Sequence, residues 1–598
     1  MAVYAAVAIT GMAWGLPTSR IDRLLFGNSP VWSGEEIARL NRASDKFDAA
    51  RGADVDADPV VFAGDAPVDL TATEADVAAI YQRYRLYTHQ PDEMITMMAL
   101  AGMRPAERYL DPKLYQYGGL FIYPVGAIIA LGGVTGIIEV TSDLTYYLDH
   151  PDEFGRFYVA ARAYVALWGA LGVVLVYAIA SRLGGFRAGA LAALLFTLAP
   201  VVVCMSHEAK PHLPGAVLML AAVWWAMCYV ERGWRRDWAG LCITCGAAFG
   251  MVLSSLPIFV LIPLAELIRG ANFPNDLVSR LGTSAFWRRV LGGAVIGLLV
   301  YLATNPYVAI NAVVNREVLQ SNLSNSTAMY EVGRFGEGLV RVIELTVEGV
   351  TLPVAAIGVI GLVFGIRRGR RDLLPLVVPA GLILVQFVML GAGKPAEYGR
   401  FGVFPDTALA ISTGCLLTAG WRTRAARAIR NGTQVICALA VLSAAYFSSG
   451  YLYDFHKDSG PDNNRERINP LLQQLIRKPV SEPLSDRLSS RSDDGWPVVC
   501  VLADPAPYCL PPMNFARIRL LRYPSLEAYR ANPQGVLVVP EDFDPPEGRN
   551  KIQPPQFTGT RRPPYSPISW ANKPMALHLP AGKGDGSGQW NTKARTGN

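Results

Sequence analysis

The stretch 157–180, FYVAARAYVALWGALGVVLVYAIA, is a continuous apolar run interrupted by a single charge, Arg162. An α-helix needs about 20 such residues to cross the hydrocarbon core of a bilayer, so this run predicts a transmembrane helix. The rest of the chain has the same character, because 51% of its 598 residues are hydrophobic and only 17% are charged. This composition predicts a polytopic α-helical membrane protein and differs from that of an ordinary soluble enzyme.

Ten further apolar runs lie on either side of this stretch. Together with this stretch they predict eleven transmembrane helices, at residues 1–16, 157–180, 188–205, 213–230, 238–253, 256–268, 290–304, 349–366, 373–390, 403–420 and 434–449. The first run has no basic residue before it, and we interpret it as a span whose N-terminal flank is missing from the sequence. In the loop that follows, Ser33 with Glu36 is predicted to cap one helix, and Thr73 or Thr71 to cap another.

Basic residues are distributed unequally between the two sides of the predicted bundle. Alternate connections carry 17 arginines, whereas the short connections on the opposite side carry only Lys210, Lys394 and Arg400. Positively charged loops remain in the cytoplasm, so the arginine-rich side is predicted to be cytoplasmic. The first outer loop (17–156), the outer loop 304–349 and the chain after Ser449 then face away from the cytoplasm, across a cell inner (plasma) membrane. Because the basic residues lie at span ends and not on one face, no nucleic-acid partner is predicted.

The segment after residue 449 is predicted to be a separate extracytoplasmic domain. Within 450–544, helix patterns at 467–477 and 525–532 and strand patterns at 497–502 and 535–540 predict a small α/β domain. Residues 545–598 are rich in Pro, Gly, Asn and Lys, and are predicted to form a loosely ordered tail. Cys500 and Cys509 have a spacing that a hairpin disulfide would close in an oxidising compartment.

The candidate catalytic residues belong to the stretch 87–93, YTHQPDE. Asp92 and Glu93 follow a proline and begin a short apolar helix outside the bilayer, where a polar substrate reaches them. Asp92 is the candidate general base; partial burial would raise its pKa toward working pH, whereas its place at a helix N-terminus would lower it. Glu93 is predicted to orient Asp92 or to hold a lysine, arginine or metal. The alternatives are that both acids only cap an interfacial helix, or that HPDE at 150–153 is the active pair.

Six short motifs follow one another on one side of the predicted bundle. In chain order they are HQPDE at 89–93, YGGLFIYP at 117–124, Arg162, LAPV at 198–201 leading to Ser206, TNPY at 304–307 and YGRFGVFP at 398–405. This order, over residues 1–449, resembles the GT-C class of membrane glycosyltransferases, in the branch of protein O-mannosyltransferases and bacterial aminoarabinose transferases. The chain departs from the family pattern Ser-Arg-x-x-Arg-x-Asp, because His212 stands where the aspartate is expected. Either Glu208 supplies a second carboxylate or the chain works without one.

The resemblance implies an inverting glycosyltransferase of the cell envelope. Its donor would be a polyprenyl-phosphate-linked sugar, and its acceptor a hydroxyl of a lipid, glycan or protein at the outer face of the bilayer. Arginine and lysine bind phosphate through charge-assisted hydrogen bonds, so the candidate phosphate ligands are the cations of this side of the bundle: Arg400, Lys394, Arg162 and Lys210. A candidate acceptor or metal site comprises His207, Glu208 and His212, with a divalent metal as the one candidate cofactor and a proton-sharing cluster as the alternative.

Two other classes of protein fit a polytopic chain. A lipid-linked saccharide transporter or flippase would carry polar residues inside its spans near the bilayer midplane, whereas the acids of this chain gather in the outer loops. A non-catalytic envelope assembly protein accounts for the C-terminal domain but not for the ordered motifs. The sequence therefore favours the glycosyltransferase.

Overall fold

The computed structural model describes residues 1–50, 66–90, 92–269, 274–275, 277–393, 399–422, 427–460, 464–476, 497–502, 510–540, 549–552 and 575–580. The chain divides into two compact units. The first consists mainly of Met1–Thr18 and Arg85–Pro461, and the second of Ser19–Tyr84, Asp462–Thr558 and Trp570–Asn598. The predicted boundary at residue 450 therefore differs from the observed division, since part of the first outer loop belongs to the second unit.

Helices make up most of the described chain. In chain order they are α1 Ala2–Ile9, α2 Asp22–Phe26, α3 Gly34–Ala50, α4 Glu74–Leu86, α5 Glu93–Ala101, α6 Gly119–Val134, α7 Leu144–Asp149, α8 Pro151–Gly184, α9 Phe186–Thr197, α10 Pro200–Ser206, α11 His212–Arg232, α12 Arg235–Met251, α13 Leu261–Ile268, α14 Leu277–Leu281, α15 Ser284–Thr304, α16 Pro306–Val314, α17 Arg316–Thr327, α18 Phe335–Val350, α19 Leu352–Arg367, α20 Leu374–Gly393, α21 Val403–Arg422, α22 Arg427–Asp458, α23 Asn464–Arg467, α24 Asn469–Ile476 and α25 Leu526–Ala531.

Several of these helices have the length and composition of membrane spans. Among the described residues six qualify alone: α8, α11, α15, Arg371–Gly393, Gly399–Gly420 and Arg430–Asp458. Two bent pairs, α9 with α10 and α18 with α19, raise the number to eight if each pair is one span. The class of polytopic α-helical membrane protein is confirmed, but the count of eleven spans is not.

Local backbone geometry explains where the predicted spans fail. The first predicted span extends to residue 16, but α1 ends at Ile9. Beyond it, Gly11 and Gly15 have φ of 78° and 59°, outside the helical region. The predicted span 349–366 is interrupted at Thr351, whose φ is 73°, so that α18 and α19 meet at an angle of 108°. Pro200 begins α10 after α9, and the two helices meet at a bend of 59°.

Two further predicted spans are too short. The run predicted at 238–253 is α12, with 17 residues. The run predicted at 256–268 begins as a 3₁₀ helix, Leu253–Val260, with Pro257 inside it, and continues as α13. A proline removes a backbone donor and disfavours regular α-helix around it, which explains the irregular start.

The second unit contains a mixed six-stranded sheet. Its strands are β1 Val68–Asp69, β2 Val498–Val501, β3 Arg519–Arg522, β4 Val536–Pro540, β5 Arg549–Ile552 and β6 Met575–Pro580, in the order β1-β3-β2-β4-β6-β5. The strand β2 is parallel to β3 and β4, and the other pairs are antiparallel. A hydrophobic cluster that includes Tyr523, Tyr529 and Leu537 packs α25 against the sheet.

The strands predicted at 497–502 and 535–540 and the helix predicted at 525–532 are confirmed. Three strands of the sheet come from outside the predicted domain 450–544. The segment predicted as a loosely ordered tail supplies β5 and β6, and the first outer loop supplies β1, in which Val68 lies opposite Arg522 of β3. Cys500 is buried in β2, whereas Cys509 lies outside the described residues.

The predicted helix caps of the first outer loop are confirmed. The Ser33 hydroxyl accepts a hydrogen bond from the Glu36 backbone N–H at 3.2 Å. The Thr73 hydroxyl accepts one from the Asp76 backbone N–H at 3.1 Å, and the Asp76 carboxylate accepts one from the Thr73 backbone N–H at 2.8 Å. Such reciprocal bonds satisfy donors that a helix start leaves unpaired.

Candidate active site

Asp92 lies immediately before α5, in the first unit. Its carboxylate oxygen Oδ2 accepts hydrogen bonds from Arg400 Nη1 at 2.6 Å and from Lys210 Nζ at 2.9 Å. The Asp92 side chain is 31% exposed, whereas the Lys210 side chain is fully buried. The structure thus brings together a partly exposed carboxylate and two cations from sequence positions 118 and 308 residues away. We call Asp92, Lys210, Arg400 and Glu208 the Asp92 cluster.

The electrostatics of Asp92 differ from the predicted state. Burial alone would raise its pKa, but the charges and hydrogen bonds of Lys210 and Arg400 outweigh burial and hold the pKa of the carboxyl well below its ordinary value. Of the two opposing effects expected from the sequence, the lowering one prevails, but its cause is the pair of cations and not the helix N-terminus. The lowered pKa favours the ionised carboxylate, whose charge is balanced by the two cations.

Glu208 is a second carboxylate in the same cluster. Its Oε2 lies 3.3 Å from Lys210 Nζ and accepts a hydrogen bond from Gln90 Nε2 at 3.4 Å. Burial raises the pKa of Glu208 despite the opposing charge of Lys210, and the nearby Glu93 raises it further. Asp92 and Glu208 thus share Lys210 while their surroundings shift their pKa values in opposite directions, an arrangement that separates proton-accepting and proton-holding roles.

Glu93 and Arg162 form a fully buried ion pair. Arg162 donates from Nε to Glu93 Oε1 at 2.9 Å and from Nη2 to Oε2 at 2.6 Å, and both side chains are 0% exposed. Glu93 also accepts from the Ala209 backbone N–H at 2.6 Å and from the Thr88 hydroxyl at 2.5 Å. Of the predicted roles of Glu93, holding an arginine matches this geometry. The pair connects the residue after Asp92 to α8 and to the loop that carries Lys210.

Arg162 does not match its predicted role as a phosphate ligand. Besides Glu93, its guanidinium donates to the backbone carbonyls of Met12 and Trp14, each at 2.8 Å, and lies over the Trp14 ring at 5.0 Å. Four of its five N–H donors are used in these bonds, and the side chain is fully buried, so the guanidinium is not exposed to an external anion. The charge inside this predicted span is therefore explained by a structural partner.

The three residues of the candidate metal site have separate surroundings. Both ring nitrogens of His207 face backbone carbonyls, of Val203 at 2.7 Å and Thr10 at 2.8 Å, and the ring stacks on Phe455. Burial lowers the pKa of His207 to about 4. His212 instead forms T-shaped ring pairs with Phe401 and Tyr117. In the part of the chain that the structure describes, no group of three or more His, Cys, Asp or Glu side chains is arranged to hold a metal. The metal alternative for His207, Glu208 and His212 therefore has no support in this geometry, and their role at the acceptor stays a prediction.

The other predicted residues are Lys394, Tyr398 and the pair Asp152 and Glu153. Lys394 and Tyr398 lie outside the described residues. In the rival pair, Asp152 is exposed in the first turn of α8 and Glu153 forms an ion pair with Arg156 at 3.0 Å. These contacts are those of an ordinary helix start.

A cavity adjoins the Asp92 cluster, since Arg400 belongs to both. It encloses about 390 Å³, including space open to solvent, and lies between α11, the 3₁₀ helix Leu253–Val260, α20 and the start of α21. Its polar lining includes His212, Ser255 and Gln386, of which the sequence had indicated only His212.

The sequence also gave no indication of a buried pair behind the site. His89 Nδ1 lies 2.5 Å from Asp458 Oδ2, and both side chains are buried. Asp458 ends α22, nine residues beyond the predicted end of the last span at 449. The pair depends on the extension of α22 beyond residue 449, and nothing in the local sequence pattern indicates this extension.

A helical membrane domain with an acid–cation cluster in its loops is consistent with a membrane enzyme that handles an anionic substrate. Residues 154–303, about a quarter of the chain, match the family model described as dolichyl-phosphate-mannose-protein mannosyltransferase. The match supports the resemblance to GT-C glycosyltransferases. The search of curated proteins found no match.

Solved structures similar to the chain include two classes of membrane glycosyltransferase. ArnT from Cupriavidus metallidurans in the apo state is 17% identical over 78% of this chain and 92% of its own, with a TM-score of 0.42. The same protein bound to undecaprenyl phosphate is 18% identical over the same shares, also with a TM-score of 0.42. The archaeal oligosaccharyltransferase AglB from Archaeoglobus fulgidus, in complex with an inhibitory peptide and a dolichol-phosphate, is 14% identical over 75% of this chain and 64% of its own, with a TM-score of 0.40.

Proposed function

We propose that the chain is a glycosyltransferase that moves a sugar from a polyprenyl-phosphate donor to a hydroxyl group of a lipid, glycan or protein acceptor, with inversion at the anomeric carbon. The observation that carries this proposal is the partly exposed Asp92 carboxylate between Arg400 and Lys210. The family match over residues 154–303 supports the class of donor. The excess of arginine on one side of the bundle supports a reaction at the outer face of the membrane.

In the proposed reaction the donor phosphate takes over the two cations of Asp92. Arg400 and Lys210 each donate charge-assisted hydrogen bonds to Asp92, and the same groups bind phosphate oxygens, arginine through two nitrogens at once. When the phosphate binds them, Asp92 loses the partners that keep its pKa low. Donor binding thereby converts a neutralised carboxylate into a proton acceptor.

The chemical step then follows from the position of the charges. The acceptor oxygen forms a bond to the anomeric carbon while the bond from that carbon to the phosphate oxygen breaks, and the electron pair leaves with the polyprenyl phosphate. Asp92 takes the proton of the acceptor hydroxyl, and Arg400 and Lys210 stabilise the charge of the departing phosphate. Attack and departure occur on opposite faces of the sugar, which inverts its configuration. Glu93 acts as a positioning residue through its bonds to Arg162 and Ala209.

A direct test uses the purified chain in lipid nanodiscs with radiolabelled polyprenyl-phosphate sugars, and follows the label into lipid, glycan and protein fractions. We expect covalent transfer into one of these fractions. A matched experiment in sealed proteoliposomes distinguishes the transporter class. Label that crosses the bilayer while still attached to the polyprenyl phosphate, with no transferred product, would contradict the proposal.

The exchange of partners at Asp92 predicts a specific pH dependence. In the donor-free chain the pKa of Asp92 is held below its ordinary value, whereas in the donor complex the phosphate occupies Arg400 and Lys210 and the pKa rises. A base works only when deprotonated, so activity falls as pH drops through that pKa. The profile of kcat/KM reports the free enzyme and that of kcat the complex, so the acidic fall of kcat is expected at higher pH than that of kcat/KM. Coincident acidic limbs would rule out the exchange.

Arg400→Gln and Lys210→Gln are each expected to weaken binding of polyprenyl phosphate. A hydrogen bond to a charged group contributes about 1.5–3 kcal/mol, which corresponds to an increase in Kd of roughly 10- to 100-fold. The measurement is a titration of nanodisc-embedded protein with short-chain polyprenyl phosphate at two salt concentrations. Arg104→Gln is the matched control, because Arg104 is an exposed arginine paired only locally with Glu107. Unchanged affinity in both cluster variants would show that the phosphate does not bind at this site.

A further inference from the structure

A buried imidazole–carboxylate pair lies on the amino-terminal side of Asp92. His89, shortly before Asp92 in the sequence, has its Nδ1 2.5 Å from Oδ2 of Asp458, the last residue of α22. His89 is 4% exposed and Asp458 is 3% exposed. The other carboxylate oxygen, Asp458 Oδ1, accepts no hydrogen bond from any described residue. A buried carboxylate is costly without a partner, and the dipole of α22 disfavours a negative charge at its C-terminus. The burial of Asp458 therefore depends on His89.

The backbone reinforces this pair at Gly15. The His89 N–H donates to the Gly15 carbonyl at 2.9 Å, and the Gly15 N–H donates to the Asp458 carbonyl at 3.4 Å. A Cβ at Gly15, where φ is 59°, would lie 2.7 Å from the His89 Cβ, so a larger residue would push the two segments apart. Together with the side-chain bond, these contacts close a ring of three residues that are distant in sequence. We call Gly15, His89 and Asp458 the His89 junction.

The loop that leads from the His89 junction to Asp92 is held by its own hydrogen bonds. The Thr88 hydroxyl accepts from the Gln90 backbone N–H at 3.2 Å and donates to Glu93 Oε2 at 2.5 Å. The Glu93 backbone N–H donates to the Gln90 carbonyl at 3.1 Å. Thr88, Gln90 and Glu93 are fully buried. A displacement of the junction is therefore passed on to Asp92, because residues before and after Asp92 are bonded to each other.

The second anchor of this loop reaches the same part of the chain. Glu93 is bonded to Arg162, and Arg162 donates to the backbone carbonyls of Met12 and Trp14, next to Gly15. The Glu93–Arg162 pair thus holds the end of the loop, and the His89 junction holds its start. The stretch from Met12 to Gly15 receives both anchors.

We infer that Asp458 is a positioning residue for the proposed reaction, and that it acts through His89 to fix Asp92 against the acceptor hydroxyl. The inference rests on the proposed function, since the position of Asp92 matters for transfer only if Asp92 takes the proton. Arg400 and Lys210 belong to other segments of the chain, so the loss of Asp458 should slow the transfer step and leave donor binding in place. A misplacement of about 1 Å can reduce a rate about 100-fold.

The test measures transfer and donor binding separately in the full chain in nanodiscs. Asp458→Ala and His89→Ala are each expected to lower the single-turnover transfer rate by about 10- to 100-fold, with the Kd of polyprenyl phosphate unchanged. The double variant should be no slower than either single variant, because each change removes the same contact. His89→Asn should recover much of the rate, since the asparagine Nδ2 is attached to Cγ as the histidine Nδ1 is and can donate to Asp458.

Two exposed residues of matching type serve as controls. His150→Ala removes an exposed histidine whose Nδ1 faces the Tyr146 carbonyl, in the similar motif at 150–153. Asp372→Ala removes an exposed aspartate that is paired locally with Arg370. Both variants should keep the wild-type transfer rate.

The outcomes separate this inference from the proposed function. Wild-type transfer in Asp458→Ala overturns the inference and leaves the transferase standing. The same conclusion follows if the double variant loses the product of the two single losses, or if each rate falls only in step with donor affinity. If the alanine variants do not fold, Asp458→Asn replaces them, because it keeps the shape but exchanges a charge-assisted hydrogen bond for a weaker neutral one. A wild-type rate in that variant also overturns the inference.

Amide hydrogen exchange provides a readout that does not depend on transfer. The backbone N–H groups of His89 and Glu93 are both hydrogen-bonded, so peptides that cover them should exchange faster in Asp458→Ala than in the wild type. Faster exchange in a chain that transfers no sugar would contradict the transferase and keep Asp458 as the anchor of the loop. Unchanged exchange in Asp458→Ala would overturn the inference.

Discussion

Asp92→Asn is expected to abolish sugar transfer while the chain continues to bind the donor. Asparagine has nearly the same size, and the Asp92 side chain makes no capping hydrogen bond to α5 that would be lost. Asparagine cannot, however, take a proton from the acceptor hydroxyl. A general base contributes a rate factor of about 10²–10⁴, so kcat should fall by that amount. Because the amide no longer neutralises Arg400 and Lys210, the affinity for polyprenyl phosphate should stay the same or increase. Single-turnover transfer rates and equilibrium titrations measure the two quantities separately.

Asp152→Asn provides the matched control for this experiment. It makes the same chemical change in the similar motif at 150–153, where the acid is exposed in the first turn of α8. The control should retain wild-type transfer. Full activity of the Asp92 variant together with loss of activity in the Asp152 variant would reverse the assignment of the two motifs.

Glu93→Gln is expected to produce the largest loss of stability of any single change in the site. Arg162 and Glu93 are both 0% exposed, and the glutamine leaves a buried guanidinium without its counter-charge. Breaking a buried ion pair by removing one partner costs about 3–5 kcal/mol. We expect a correspondingly lower free energy of unfolding in detergent micelles, and reduced transfer because the residue beside Asp92 is no longer anchored.

Glu153→Gln is the control for the stability experiment. Its partner Arg156 is half exposed, and solvent screens such a pair, so the change should cost less than about 1 kcal/mol. Equal unfolding free energies for the Glu93 variant and the wild type would mean that the buried pair is not a stabilising anchor. Recovery of activity in Glu93→Asp, with the charge kept, would support a positioning role.

The two cations of the site could be predicted because charged residues are scarce on that side of the bundle. On the side of the bundle with few basic residues, Lys210 and Arg400 were conspicuous, and both lie within 3 Å of the Asp92 carboxylate. Polar groups in apolar surroundings are costly, so those that occur usually have a partner or a function. The same reasoning selected Arg162 but not its partner, because the contact with Glu93 joins residues 69 positions apart and leaves no local pattern.

Gln386 carries a signal that is visible in the sequence. It is the one hydrogen-bonding side chain in the predicted span 373–390, and the structure places it in the lining of the cavity. Ser255 had no comparable signal, since serine is common near span ends. Helix bounds were also difficult to predict, because Gly11 and Thr351 end or interrupt helices through their backbone conformation and not through a change in hydrophobicity.

The pairing of β1 with β3 has a consequence for biogenesis. Val68 meets Arg522, so the first strand of the sheet leaves the ribosome long before its neighbour exists. At a synthesis rate of about 5–20 residues per second, this interval is roughly 20–90 seconds. All the candidate membrane spans among the described residues are made during it. The Tyr81 ring packs against the rings of Phe26, Trp32 and Phe515. Its contact with Phe515 forms only after the same delay. A nascent chain stalled before residue 519 therefore exposes an unpaired strand edge, the kind of surface that holding chaperones and quality-control proteases recognise.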